Sequence, residues 1–280
     1  MQEYAPKIFY TYIPSNSGVK KAIKQGRVLI DGVIAKTATW VKPDQIIELI
    51  DDPNKQPKVY KFNLEVIFED DHIAVINKPA GITVSGNKFK TIANALSYNL
   101  KKSQQLDALT IPTPVHRLDN QTSGILLVAK TKTAQIELGK QFKNQTIKKQ
   151  YSAIVIGKII KTETIDLPID NKPSITNFEV VKSFHSLKYD ILSLIKAFPK
   201  TGRTHQIRIH MASINRPILG DKLYGNPETI HKGKGLFLCA SKIIFEHPKT
   251  SLQTTIKINL PQKFTSIITR EERRWNNYNS

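Results

Sequence analysis

The chain changes character once, across residues 51–61 (DDPNKQPKVYK), and that break limits every fold it can adopt. The stretch has two prolines, charges of both signs and no apolar periodicity, which suits a connection rather than a helix or strand. A chain of 280 residues has room for two domains, and the patterns on either side of the break differ. Before it, residues 16–27 (NSGVKKAIKQGR) read as a short helix with a polar start and Gly26 at its stop. Val28–Ile30 and Val33–Ile34 then flank Asp31-Gly32, the favoured two-residue hairpin turn, and residues 40–50 are strand-like.

After the break strands predominate. Residues 64–68 and 73–76 are predicted strands joined by a turn at Asp70-Asp71, and residues 91–103 a helix capped by Thr91. Further strands are expected at 115–119, 124–130 and 151–156, with a helix at 133–144. A long hairpin over 178–184 and 189–198 precedes a helix at 204–215, capped by Thr204, with Ile207, Met211 and Ile214 on one face. Residues 236–245 and 254–260 supply late strands, and the polar end from Arg270 reads as a fraying tail. The predicted organisation is a small α+β module at 1–51, a linker at 52–61, an α+β main domain at 62–265 and a polar tail at 266–280. Scattered helices in a strand-rich chain predict a mixed, mainly antiparallel central sheet.

Charge narrows the partners. Lys and Arg number 42 against 23 Asp and Glu, a formal +19. That excess favours a polyanion, nucleic acid before an anionic membrane surface. Lys20, Lys21, Lys24 and Arg27 group on or beside the first helix, where a solvated face is the simpler explanation of such a run. The single cysteine, Cys239, excludes an internal disulfide framework and a cysteine zinc cage. No signal-peptide pattern opens the chain and no apolar run is long enough to span a bilayer, so a cytoplasmic protein without a membrane partner is expected.

Several chemistries have no visible motif: no Walker loop, no GxGxxG opening a helix and no GxSxG elbow. His205 and His210 are five apart, which puts them on different faces of a helix, so no metal site and no cofactor are predicted. Residues 116–124 (HRLDNQTSG) place Asp119 after a strand among small and polar turn residues. Asp119 is then either an Asx-turn residue closing the strand or an exposed carboxylate at a strand end, where loop chemistry is mounted. Residues 200–210 (KTGRTHQIRIH) place Arg203 and Arg208 around a helix start. Arg208 lies beside the apolar stripe, and a buried guanidinium needs a carboxylate, for which Asp119 is one candidate. Tyr151 opens an apolar strand as a core residue or a stacking platform.

Together these segments resemble the RluA-type pseudouridine synthases. Residues 116–124 look like that family's catalytic motif, and residues 78–81 (KPAG) resemble its early loop. Lys149, Tyr151 and Ala153, through Gly157, resemble its tyrosine-bearing strand. Residues 202–210, followed by Pro217-Ile218 and Gly220-Asp221, are similar to its arginine-bearing helix and exit loop. The matches occur in the family's order and cover roughly residues 60–260. The resemblance implies the pseudouridine synthase α+β fold with a basic cleft. It also implies Asp119 as the catalytic carboxylate, Tyr151 as the aromatic packed against the base, and Arg208 as the partner of the aspartate. Arg117 would fill the space left by a flipped uridine or contact the RNA.

The reaction breaks the bond from sugar carbon 1′ to the base nitrogen and remakes it to base carbon 5, with no redox step and no cofactor. Asp119 would act as a nucleophile or as a base on the sugar. Lys78, Arg117 and Arg203 at the cleft and Lys20, Lys24 and Arg27 on the N-terminal module would grip phosphates of structured RNA. Ribosomal RNA is the favoured substrate, transfer RNA the alternative, and the chain is taken as a monomer. The N-terminal module resembles the S-four-type RNA-binding domain over residues 19–33, with Pro43-Asp44 where a Gly-Asp turn is usual. A catalytically silent RNA-binding protein would share most of these features. A nucleoside glycosidase would want a second carboxylate, and Asp221 reads as a loop residue.

Overall fold

The computed structural model describes residues 16–50, 59–225 and 233–280, and the chain divides into two units between residues 57 and 58. Residues 51–58, most of the linker read from the sequence, lie outside the described residues.

In the first unit, helix α1 (Asn16–Lys24) buries Val19, Ala22 and Ile23, spaced three and four apart, against Val28, Ile30 and Ala35. Its lysines, Lys20, Lys21 and Lys24, face outward. Strand β1 (Val28–Ile30) turns at Asp31-Gly32 into β2 (Val33–Ile34) and also pairs antiparallel with β3 (Ile47–Leu49). The Asp31 carboxylate accepts the Ile46 N–H at 2.8 Å, which draws the third strand in. The strand predicted over 40–50 contracts to three residues, because Pro43 lacks an N–H and Asp44 adopts a left-handed φ of 65°.

The second unit runs β4 (Glu65–Glu69), β5 (Ile73–Lys78), α2 (Ile92–Asn99), β6 (Ala108–Pro114), β7 (Ser123–Thr131), α3 (Lys132–Lys143), β8 (Lys148–Ile156), β9 (Glu163–Asp166), β10 (Ile175–Ser186), β11 (Asp190–Pro199), α4 (Gln206–Ser213), β12 (Leu238–Glu246), β13 (Gln253–Lys257) and α5 (Gln262–Asn279). The sheet order is β4-β5-β7-β12-β8-β11-β10-β9, mixed but mainly antiparallel. Both faces of β5 and β7 are buried. Ala74, Ile76, Leu126 and Val128 pack on Ile92, Ala95 and Leu96 of α2. The alternate residues, Ile73, Val75, Ile125, Leu127 and Ala129, pack with Ala134 and Leu138 of α3. A third cluster joins β8, β11 and β12 to α4 and α5 through Ile207, Met211, Phe264 and Ile267.

The two halves of this sheet touch at one short parallel contact, Ser123 and Gly124 of β7 against Cys239 and Ala240 of β12. Beyond it the sheet forks, as β6 pairs with the end of β7 and β13 with the end of β12. Gly124, at φ 110°, makes that contact feasible: a Cβ there would lie 2.3 Å from the Ala240 carbonyl oxygen.

Three expectations are corrected. The strand predicted at 115–119 lies earlier, as β6, and Val115 to Asp119 form an irregular segment after it. Pro112 and Pro114 disguise that strand, which tolerates them because within the sheet it pairs with β7 alone. The helix at α4 begins at Gln206, not under a Thr204 cap, because His205 is left-handed (φ 55°) with no side-chain cap. The polar end from Arg270 is not a frayed tail but the last part of α5. Phe264 and Ile267 anchor that helix, the buried Glu271 accepts a 2.6 Å bond from Ser186 Oγ, and Trp275 stacks on His185 at 4.3 Å. Among the described residues, no helix is long and apolar enough to cross a membrane.

Candidate active site

The fork in the sheet opens into a cleft of about 420 Å³. Ala240 lies opposite Gly124 on one side and opposite Tyr151 on the other, so strand register sets Tyr151 beside the segment that precedes Gly124. That segment carries Asp119. Its carboxylate is 17% exposed and faces the cleft, and Thr122 N–H closes a turn on its backbone carbonyl at 3.1 Å. The Tyr151 ring packs into the core on both sides of the fork. Burial first, then the nearby Asp119 and Cys239, push its phenol far above the ordinary value, so the ring is a neutral aromatic surface.

The backbone around Asp119 is pinned from behind. Lys78 is fully buried, and its ammonium donates to the carbonyls of Pro79 (2.9 Å), Asn120 (3.1 Å) and Thr122 (2.8 Å). Burial pulls it down to about 8, against a smaller opposing pull from Asp119. Lys78 is therefore not a phosphate contact. Its pairing opposite Gly124 on β7 puts it beneath the Asp119 turn, outside the residues that line the cleft. On the approach to Asp119, His116 stacks on Phe142 at 4.8 Å and its Nε2 accepts the Leu127 N–H at 3.0 Å. Burial, helped by the positive charge of Lys149, pushes His116 down to about 4, so it is a neutral structural acceptor.

The opposite wall is α4 and the turn after it. Arg208 is buried and does not pair with Asp119. Its Nε and Nη2 donate to the two oxygens of Asp221 at 2.8 and 2.7 Å. Gly220 lets the chain pass Gly235 where a Cβ would lie 2.1 Å from that carbonyl oxygen, and this close passage brings Asp221 under α4. Asp221 Oδ1 also accepts the N–H groups of Leu223 and Tyr224. Burial opposes both charges, but the mutual hydrogen bonds prevail, raising Arg208 and lowering Asp221. Within this wall His205 places its Nε2 3.9 Å from Asp119 Oδ1.

Arg117 is exposed at the cleft rim. Arg203, also lining the cleft, donates through Nε to the Pro173 carbonyl at 3.1 Å. Sequence reasoning gave no role to Lys143 and Lys200, which line the same cleft together with Lys149 of the strand carrying Tyr151. With Arg117, Arg203 and Arg208 they make six cationic side chains around a single carboxylate. It also missed His205, Tyr224 and the pairing role of Asp221; the only hint was Asp221 directly after a glycine. In the first unit Lys20 and Lys24 are exposed, while Arg27 Nε is engaged with the Ile50 carbonyl at 2.9 Å. No group of three or more potential metal ligands occurs among the described residues.

Residues 72–213 match the family model described as RNA pseudouridylate synthase. The chain is 32% identical to an "Uncharacterized RNA pseudouridine synthase" of Aquifex aeolicus, over 90% of this chain and 88% of the relative. It is 30% identical to the "Ribosomal large subunit pseudouridine synthase D" of Pseudomonas aeruginosa, over 91% of this chain and 87% of the relative. Of solved structures, human RNA pseudouridylate synthase domain containing 4 shares the fold at a TM-score of 0.59 and 21% identity, covering 74% of this chain and 92% of that one.

Proposed function

This chain belongs to the RluA-type RNA pseudouridine synthases, enzymes that isomerise uridine in RNA, and we propose that it acts on ribosomal RNA with Asp119 as its catalytic carboxylate. The observation that carries the site assignment is the cleft itself: one carboxylate, one neutral, half-buried tyrosine and six cations in about 420 Å³. That volume suits a single nucleotide, within the roughly 300–1,000 Å³ usual for ligand pockets. A base reaches such a cleft only by leaving its stack, which costs a few kcal/mol, and stacking on Tyr151 with phosphate contacts offsets that.

In the reaction the bond from C1′ to N1 breaks, a bond from C1′ to C5 forms, the C5 proton departs and N1 gains one. Asp119 starts it, by attack on the sugar or by drawing a sugar proton. Arg208 supports the site from behind through Asp221, while Arg117 and Arg203 hold phosphates at the rim. In the N-terminal unit, read as an S-four-type RNA-binding module, the exposed Lys20 and Lys24 of α1 offer phosphate contacts of their own. The name of the Pseudomonas relative favours ribosomal over transfer RNA, and the proposed setting is the cytoplasm, with the chain acting as a monomer.

The test is tritium release from RNA labelled at uridine C5, taken from cells lacking this gene. Wild type should release label from ribosomal RNA, and Asp119→Asn should be slower by about 10³-fold or more. Label lost from the transfer RNA fraction alone would replace the substrate. Equal release by Asp119→Asn would remove Asp119 from the chemistry.

A further inference from the structure

Among the described residues, no side chain hydrogen-bonds the Asp119 carboxylate, yet its reaction demands a fixed oxygen. The neighbour within reach is His205, and its surroundings are built. His205 occupies a left-handed backbone conformation (φ 55°) at the first turn of α4, a sparsely populated region for a side chain of this size. Its Nδ1 lies 3.0 Å from the Tyr224 hydroxyl. Tyr224 is held in turn, with its ring 5.1 Å from the Arg208 guanidinium and its N–H on Asp221 Oδ1. The ion pair of Arg208 and Asp221 is therefore linked by contacts to Asp119 through Tyr224 and His205, beside the direct charge attraction between Arg208 and Asp119.

The chemistry constrains one proton. A carboxylate facing Nε2 is met favourably only if Nε2 carries the hydrogen. The Tyr224 hydroxyl, which can donate or accept, then holds the ring through Nδ1. The separation of 3.9 Å from Nε2 to Asp119 Oδ1 is longer than a hydrogen bond, and such contacts in unliganded sites close on substrate.

We propose that His205, set by Tyr224, is a positioning residue that fixes the rotamer of the Asp119 carboxylate for its step on the sugar. The inference rests on Asp119 being catalytic.

The experiment is single-turnover tritium release at saturating enzyme, with RNA affinity and Tm measured on the same full-length proteins. His205→Asn accepts the left-handed backbone but places no donor at Nε2. His205→Gln returns an amide donor near it. For His205→Asn the expected loss is about 10- to 100-fold in rate, the scale of a misplaced reacting group, with RNA affinity and Tm unchanged. His205→Gln should recover part of that loss, and Tyr224→Phe should cost several-fold. The double variant His205→Asn with Tyr224→Phe should be no slower than His205→Asn alone, since the two act in series. Wild-type rates in His205→Asn, additive losses in the double variant, or a loss confined to RNA affinity would each overturn the proposal. Asp119→Asn in the same series separates the readings. If it is inert while His205→Asn matches wild type, only the positioning role fails. If it is fully active, the catalytic assignment fails first.

Discussion

The wall that carries Asp119 is gripped at its backbone, whereas the wall that carries Arg208 and His205 is held by side chains bonded to one another. Behind Asp119, Lys78 grips three carbonyls, His116 takes a strand N–H, and Gly124 allows β7 and β12 to touch. On the other wall a buried ion pair, an aromatic ring and an imidazole pass from Asp221 to the cleft. The difference teaches where each function can reside. A carbonyl cage fixes where the peptide runs, and a side-chain chain fixes which oxygen of a carboxylate points where. The pinning residues of the first wall should therefore respond to mutation in stability, and the second wall in rate, joined by stability where the buried ion pair is broken.

The sharpest way to break this contrast is Arg208→Ala. It leaves Asp221 buried and unpaired, and the expected cost is about 3–5 kcal/mol in denaturant unfolding, together with loss of turnover. If stability holds and only rate falls, Arg208 serves the chemistry directly rather than through Asp221.

A smaller effect, about 3 kcal/mol, is expected for Lys78→Met, which keeps the volume and strips three carbonyls of their donor. The sign of its pH dependence follows from the depressed Lys78 value, about 8 against an ordinary 10.5. Between those limits the unfolded chain binds more protons, so wild-type stability relative to Lys78→Met rises with pH. A gap that stays constant from about pH 8 to pH 10 would mean the ammonium is not buried as described.

The smallest change is expected of His116→Gln near neutrality, since Gln retains an acceptor for the Leu127 N–H. The contrast appears in acid. His116 is depressed to about 4 from an ordinary 6.5, so its unfolded form takes up protons first as the pH falls through that window. Wild type should lose about 2 kcal/mol more than His116→Gln between about pH 7 and pH 5. Parallel acid titrations of the two proteins would detach His116 from this wall.

Legibility in the sequence followed the same divide. Local signals were accurate where a single element decided them. Thr91 caps α2 by accepting the Asn94 N–H, and the hairpin of β10 and β11 stands where alternating residues placed it. The segment holding Asp119 and the strand holding Tyr151 were also visible, because small and polar residues after apolar ones mark a turn. The strand β6 was hidden by its prolines. The helical end of α5 was hidden because its buried face includes an acid, Glu271, that Ser186, Arg270 and Arg274 make tolerable. Lys78 and Arg208 were recognised as residues but given the wrong partners.

The sequence by itself determined the hairpin turns, most helices, the basic excess and the motif residues, since propensity, capping and charge act over a few neighbours. Only the tertiary structure decided that Lys78 points inward, that Arg208 belongs to Asp221 and that His205 is the side chain beside Asp119. Those pairings join residues distant in the chain, and strand register at the β7–β12 contact, together with the passage of Gly220 against Gly235, brings them within bonding range.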